Sequence, residues 1–180
     1  MPKDKMIDLE AAYPGKKIIM VDSCGWFYQE KFPTADIYKI EGIDMYKNVS
    51  MSKDKVDCMF DDRTFEQQKF PARVFPNSVL IVDHSTLFKY RTIGQMQQVI
   101  DSLVQSMQPE LMHIRVPLLT VNDYRFADRL SELASIVPKN YITTEFSFVL
   151  NKQEQMWTAK FEKIQNYASS LNWFCGRQPR

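Results

Sequence analysis

Glycine is scarce in this sequence. Five residues are glycine, at 15, 25, 42, 94 and 176, which excludes flexible glycine-rich linkers. The phosphate-cradling loops GxxxxGKS, GxxxxGKT and GxGxxG are absent, so nucleotide hydrolysis and dinucleotide binding by those motifs are excluded. No GxSxG nucleophile elbow or HExxH zinc motif occurs either. Cysteine is sparse: Cys24, Cys58 and Cys175 are odd in number and lack a CxxC spacing. They read as reduced thiols of a cytoplasmic protein, not as a disulfide framework or a zinc site. The two histidines, His84 and His113, have no further ligand at metal spacing, and no metal is expected. No charge dominates: 23 Lys and Arg oppose 22 Asp and Glu, a net charge of +1. A nucleic-acid module is usually basic, with a domain pI above about 9. Nucleic acid is therefore not the expected partner, although a local basic groove remains compatible with this balance. No apolar run approaches the roughly 18 residues of a membrane helix, and MPKDKMIDLE lacks the apolar centre of a secretory signal.

What is present is an ordinary globular composition, 44% hydrophobic and 25% charged. A chain of 180 residues can bury about 70% of its unfolded surface in one core. The expected layout is an arm over 1–15 closing at Pro14-Gly15, one domain over 16–163, and a tail over 164–180. Short apolar runs at 18–21, 37–40, 78–82 and 112–116 predict buried strands, with another short strand at 56–60. Small and polar residues Asp22 to Gly25 suit a turn into a helix over 26–32, which Pro33 stops. Ile93, Met96, Val99, Ile100, Leu103, Val104 and Met107 recur at steps of three and four, predicting an amphipathic helix over 92–107. A second helix is expected across Ala127, Leu130, Leu133, Ala134 and Val137, with Asn122 or Asp123 as its cap. Residues 141–150 and 155–162 alternate about Asn151-Lys152 as a long antiparallel hairpin. Strands separated by helices require crossovers and hence parallel pairing. The predicted architecture is a Rossmann-like three-layer α/β sandwich whose mostly parallel sheet ends in an antiparallel hairpin.

That order of elements resembles the class I S-adenosylmethionine-dependent methyltransferases over residues 16–163. Ile18 to Gly25 (IIMVDSCG) stands where that family has its first strand and cofactor loop. Glu41 stands at the ribose-binding acidic position and Asp61-Asp62 near the adenine-contacting one. Val79 to His84 (VLIVDH) stands where the fourth strand reaches the cofactor and the reacting methyl group. The resemblance implies S-adenosylmethionine as cofactor, held by Asp22, Ser23, Cys24, Gly25, Glu41, Asp61 and Asp62, with Asp83 and His84 facing the methyl acceptor. The loop has one glycine where the family has two or three, and bulky Trp26 and Phe27 follow it. No NPPY or DPPY motif for methylating base amino groups is present.

Each of these residues also has a plainer reading. Asp22 or Ser23 can cap the short helix, and Glu41 and Asp61-Asp62 can simply face water. His84 can act as a general base or be a satisfied structural residue, whereas His113, inside a strand, reads as packing. Cys24 at a helix start can be nucleophilic or merely small. Trp26, Phe27, Tyr28 and Phe32 can stack on a base or fill the core. A second functional reading follows: a catalytically inactive methyltransferase fold that works through a protein partner or a second copy, docked on Trp173 and Phe174 of the tail. A third is an unrelated α/β fold whose strand-end acids hold another small ligand.

Overall fold

Lys17–Val21 forms β1 and Ser78–Asp83 forms β4, both buried along their length except at Lys17, as apolar runs at the centre of a parallel sheet must be. They lie side by side in a seven-stranded sheet whose order is β3-β2-β1-β4-β5-β7-β6. The other strands are β2 (Ile37–Ile43), β3 (Cys58–Asp61), β5 (Leu111–Pro117), β6 (Tyr141–Leu150) and β7 (Gln155–Lys163). The first five strands are parallel, whereas β7 runs antiparallel to both β5 and β6. The expected Rossmann-like sandwich with an antiparallel hairpin is the fold observed. The computed structural model describes residues 6–43, 56–61, 73–88, 91–118, 126–150 and 155–164. Asp62, the proposed caps Asn122 and Asp123, and the tail aromatics Trp173 and Phe174 lie outside the described residues.

Strand alternation sends successive side chains to opposite layers. Ile19, Val21, Leu80 and Val82 meet Met96, Val99, Ile100 and Leu103 of α3 (Ile93–Met107) and Leu133 of α4 (Phe126–Ala134). Ile18, Met20, Val79 and Ile81 meet Leu9 of α1 (Leu9–Ala12) and Tyr28 of α2 (Gly25–Lys31). Helix α3 starts at a capping box: the Thr92 hydroxyl accepts the Gln95 amide while the Gln95 side chain accepts the Thr92 amide. Its six buried side chains each contribute about 1.5–3 kcal/mol of apolar burial. Helix α4 ends at Ala134, before the expected Val137, because the chain tightens there. The Ile136 amide bonds the Leu133 carbonyl rather than one four residues back.

The segment read as an arm contains α1, a single turn capped by Asp8. Ile7 and Leu9 are buried against the sheet, and two phenols fasten the segment. The Tyr28 hydroxyl accepts the Ile7 amide at 3.1 Å, and the Tyr13 hydroxyl lies 2.7 Å from His113 Nδ1. Burial, helped by Lys160 and Arg115, holds the His113 imidazole down at about 4, so His113 is a neutral packing partner, as expected. No helix among the described residues is long and apolar enough to cross a membrane.

Candidate functional site

The carboxyl ends of the parallel strands are where open α/β sheets take ligands, and half of the described left-handed non-glycine residues stand there. Six described non-glycine residues have positive φ. Three of them, Asp22 (49°), Cys24 (52°) and His84 (49°), stand just past β1 and at the end of β4. Each costs roughly 1–3 kcal/mol in the left-handed region, so the surrounding contacts must impose it. Asn77, Gln108 and Asn140 hold the other positive values, at element boundaries where such turns are ordinary.

Those contacts tie the two loops together. Ser23 is buried; its hydroxyl donates to the Val21 carbonyl at 2.7 Å and accepts the Asp83 amide at 2.8 Å. The Ser85 hydroxyl donates to Asp22 Oδ2 at 2.7 Å and accepts the Leu87 amide at 2.9 Å. On its other side Asp22 leans over β2, where a Cβ at Gly42 would stand 3.2 Å from Asp22 Oδ1. Helix α2 follows with Cys24 as its cap residue, whose side chain makes no capping bond. The N-cap position thus falls on Cys24 and not on Asp22 or Ser23. Glu41 serves the first helical amide from β2, its Oε1 accepting the Gly25 N–H at 2.7 Å.

Glu41 is 3% exposed. Burial first, and then the neighbouring Asp22, push its carboxyl up from 4.5 to about 7, against the opposing pull of the Gly25 and Cys24 amides. A carboxyl that binds its proton more tightly when folded stabilises the fold below about pH 4.5, and that contribution is lost as pH rises to about 7. The loss amounts to at most about 3 kcal/mol. Denaturant titrations between pH 5 and 7 should therefore show stability falling with pH, with a shallower slope in Glu41→Gln. Equal slopes in the two proteins would contradict this account of the site.

Gly25 is there because β2 comes close. A Cβ at this position would stand 2.8 Å from Lys39 Cγ and 3.5 Å from Glu41 Oε1. Gly25→Ala is expected to lower stability by about 1–3 kcal/mol through overpacking. Lys39→Ala in the same chain should recover most of the loss in a thermal melt, and failure to recover would place the clash elsewhere.

The second half of the site centres on Asp83, 1% exposed. Its register partner across the sheet is Arg115 of β5. Arg115 Nε donates to Asp83 Oδ1 at 2.7 Å and Nη2 to Oδ2 at 3.1 Å. The Tyr28 hydroxyl also donates to Oδ2, and His84 Nδ1 lies 3.0 Å from Oδ1. Burial alone would raise the Asp83 carboxyl, but the donors from His84, Arg115 and Tyr28 outweigh it and hold it below the usual carboxylate range. Burial and the adjacent Asp83 push the Tyr28 phenol up.

The structure thus brings Asp22, Ser23, Cys24, Gly25, Glu41, Asp83 and His84 to one end of the sheet. Asp61 ends β3 opposite Ile43, one strand further out than Glu41. Ser85 and Arg115 belong to the same network without having been singled out in the sequence, and Tyr28, read there as a stacking or core aromatic, joins it through its hydroxyl. A signal for Arg115 exists in Leu111–Pro117 (LMHIRVP), where polar His113 and Arg115 alternate with buried Met112, Ile114 and Val116. An arginine on a largely covered strand face needs an anion, and Asp83 ends the neighbouring strand. Among the described residues no group of three or more His, Cys, Asp or Glu is arranged to hold a metal ion.

No family model matches the sequence, and no curated protein matches it. Solved structures do resemble its fold. Magnesium protoporphyrin IX methyltransferase from Synechocystis, with bound SAM, superposes with a TM-score of 0.51 at 9% identity, over 86% of this chain and 73% of that one. A TehB-like SAM-dependent methyltransferase from Corynebacterium glutamicum gives 0.50 at 8% identity, over 86% of this chain and 84% of its own. A cysteine-to-alanine variant of LepI, in complex with SAH and a substrate analogue, gives 0.50 at 8% identity over 87% of this chain. This chain spans about half of LepI, 47% of its length. At such low identity the likeness is one of architecture, and it is the architecture of the class I methyltransferase fold.

Proposed function

We propose that this chain binds S-adenosylmethionine at the carboxyl ends of β1, β2 and β4 and transfers its methyl group to a small acceptor. The observation that carries this reading is the gathering of three strained non-glycine residues beside the buried acid Glu41, at the ligand end of a methyltransferase-type sheet. The donor set fits. A carboxylate has about four acceptor sites, so Glu41 can hold the Gly25 amide and still accept two ribose hydroxyls. Asp22, Ser23, Cys24 and Gly25 form the turn beside it, and Asp61 ends the outer strand β3; Asp61, together with Asp62, would meet the adenine. When bound, the cofactor would supply an electrophilic methyl group on a sulfonium. The residues of this chain would hold and orient it, and positioning supplies much of the acceleration in such in-line transfers. His84 would receive the proton that the acceptor releases, and Asp83 would orient His84. A cytoplasmic setting, drawn from the cysteine count, belongs to the same proposal.

A specific observation favours the second reading, a cofactor-free fold acting through a protein partner or a second copy. Asp22 already holds Ser85, and the space over Gly25 is filled by Lys39. Thermal melts separate the two. A cofactor at a hundredfold excess over its Kd stabilises by about 2.7 kcal/mol. Under the first reading S-adenosylmethionine raises the Tm while methionine alone does not. An unchanged Tm with S-adenosylmethionine would favour the second.

A further inference from the structure

Asp83 offers two carboxylate oxygens, and every contact to them is with a potential donor. Oδ1 receives Arg115 Nε–H at 2.7 Å and faces His84 Nδ1 at 3.0 Å. Oδ2 receives Arg115 Nη2–H at 3.1 Å and the Tyr28 hydroxyl proton. The Tyr28 oxygen itself accepts the Ile7 amide at 3.1 Å, so its single proton is committed to Asp83. Four donors fill the roughly four lone-pair sites of an ionised carboxylate. A carboxylate so engaged can only accept, and His84 Nδ1 must then be the donor, since the bond made by one ring nitrogen fixes the tautomer. His84 sits in the left-handed backbone region, with its side chain 19% exposed. Among the described residues no hydrogen bond engages its Nε2.

We propose that Arg115 and Tyr28 are positioning residues that hold Asp83 as a pure acceptor, so that neutral His84 carries its proton on Nδ1 and presents a bare Nε2 at the ligand end of the sheet. This deepens the proposed function and rests on it for the substrate class. The acceptor is a proton-bearing group, a hydroxyl or an N–H, and not a thioether or another group that is nucleophilic without losing a proton. As the acceptor oxygen or nitrogen forms its bond to the methyl carbon, its proton passes to Nε2. The carbon–sulfur bond of the methylsulfonium donor breaks with its electron pair kept by sulfur, leaving a neutral thioether. The imidazolium later returns its proton to water.

Long-range proton–nitrogen correlation spectra of 15N-labelled protein, recorded at about pH 8, above the ordinary imidazole range, read the tautomer without any ligand. His84→Gln assigns the signals between the two rings. The expected wild-type spectrum has a pyrrole-type Nδ1 and a pyridine-type Nε2. Arg115→Gln and Tyr28→Phe are expected to admit the Nε2–H form that free histidine side chains favour, whereas Arg115→Lys keeps Nδ1–H. An Nε2–H ring in the wild type overturns the inference. So does a ring that stays wholly Nδ1–H in both loosened variants. If Arg115→Gln does not fold, the wild type and Tyr28→Phe decide. Because no cofactor is needed, this outcome is independent of the ligand titration. An Nδ1–H ring in a protein that does not bind S-adenosylmethionine overturns the proposed function and the acceptor class together.

Discussion

Arg115→Met is expected to lower the unfolding free energy by about 3–5 kcal/mol, the usual cost of stripping one partner from a buried ion pair. The effect should be large because the asymmetry is large. Asp83 is buried with its side chain fully covered, while Arg115 is partly exposed. Removing the guanidinium leaves a carboxylate with two of its four donors gone, and an unpartnered buried charge costs far more than the pair contributes in net terms. Asp83→Asn should cost less, because the charge it leaves unpartnered, on Arg115, is partly exposed, although the new amide NH2 then faces a donor. Urea denaturation with an unchanged m-value checks both. A loss below about 1 kcal/mol for Arg115→Met, the range of an exposed pair, would show that Asp83 is hydrated and that the network around it is loose.

Asp22→Ala combined with Glu41→Ala should weaken S-adenosylhomocysteine binding by a factor of 100 or more. Hydrogen bonds to charged groups contribute about 1.5–3 kcal/mol each, and tenfold in affinity is 1.4 kcal/mol, so losing both acids exceeds two decades. The fold should survive, because each substitution removes a carboxylate instead of isolating one. The Gly25 amide loses its acceptor, a cost of about 1 kcal/mol for an uncapped helix start, while the burial penalty of Glu41 disappears with it. Affinity unchanged in the double variant would place the ligand away from β1 and β2.

Much of the architecture was legible because its signals are local. The runs Ile18 to Val21 and Ser78 to Val82 are apolar without alternation, as a sheet covered on both faces demands. The three- and four-residue steps from Ile93 to Met107 mark α3 in the sequence itself. Trp157, Ala159 and Phe161 alternate and prove buried, and the hairpin they belong to ends the sheet. Helix α1 was not legible, since four residues carry no periodicity and Ile7 and Leu9 show their burial only through the sheet beneath them. The site divides in the same way. Asp22 to Gly25, Asp83 and His84 could be picked out because each ends or follows a strand; Glu41 reads as the end of a strand over 37–40, whereas β2 continues through it to Ile43. Their wiring could not, because it is set by register between strands far apart in sequence. Asp83 finds Arg115 only once β4 and β5 pair, and Tyr28 reaches Asp83 only once α2 folds back over β4. Glu41, in IYKIEGI, could be read as solvent-facing or as a ligand residue. Its burial follows from the close approach of Gly25, a packing fact invisible in one strand's composition.

The central claim is that a methyl-donor cofactor sits among Asp22, Gly25 and Glu41. Calorimetric titration of the wild-type chain with S-adenosylhomocysteine and S-adenosylmethionine tests it most directly. The account predicts one site per chain with a Kd in the micromolar range, about −8 kcal/mol. No heat up to about 1 mM ligand, a limit weaker than roughly −4 kcal/mol, together with an unchanged melting temperature, would contradict it.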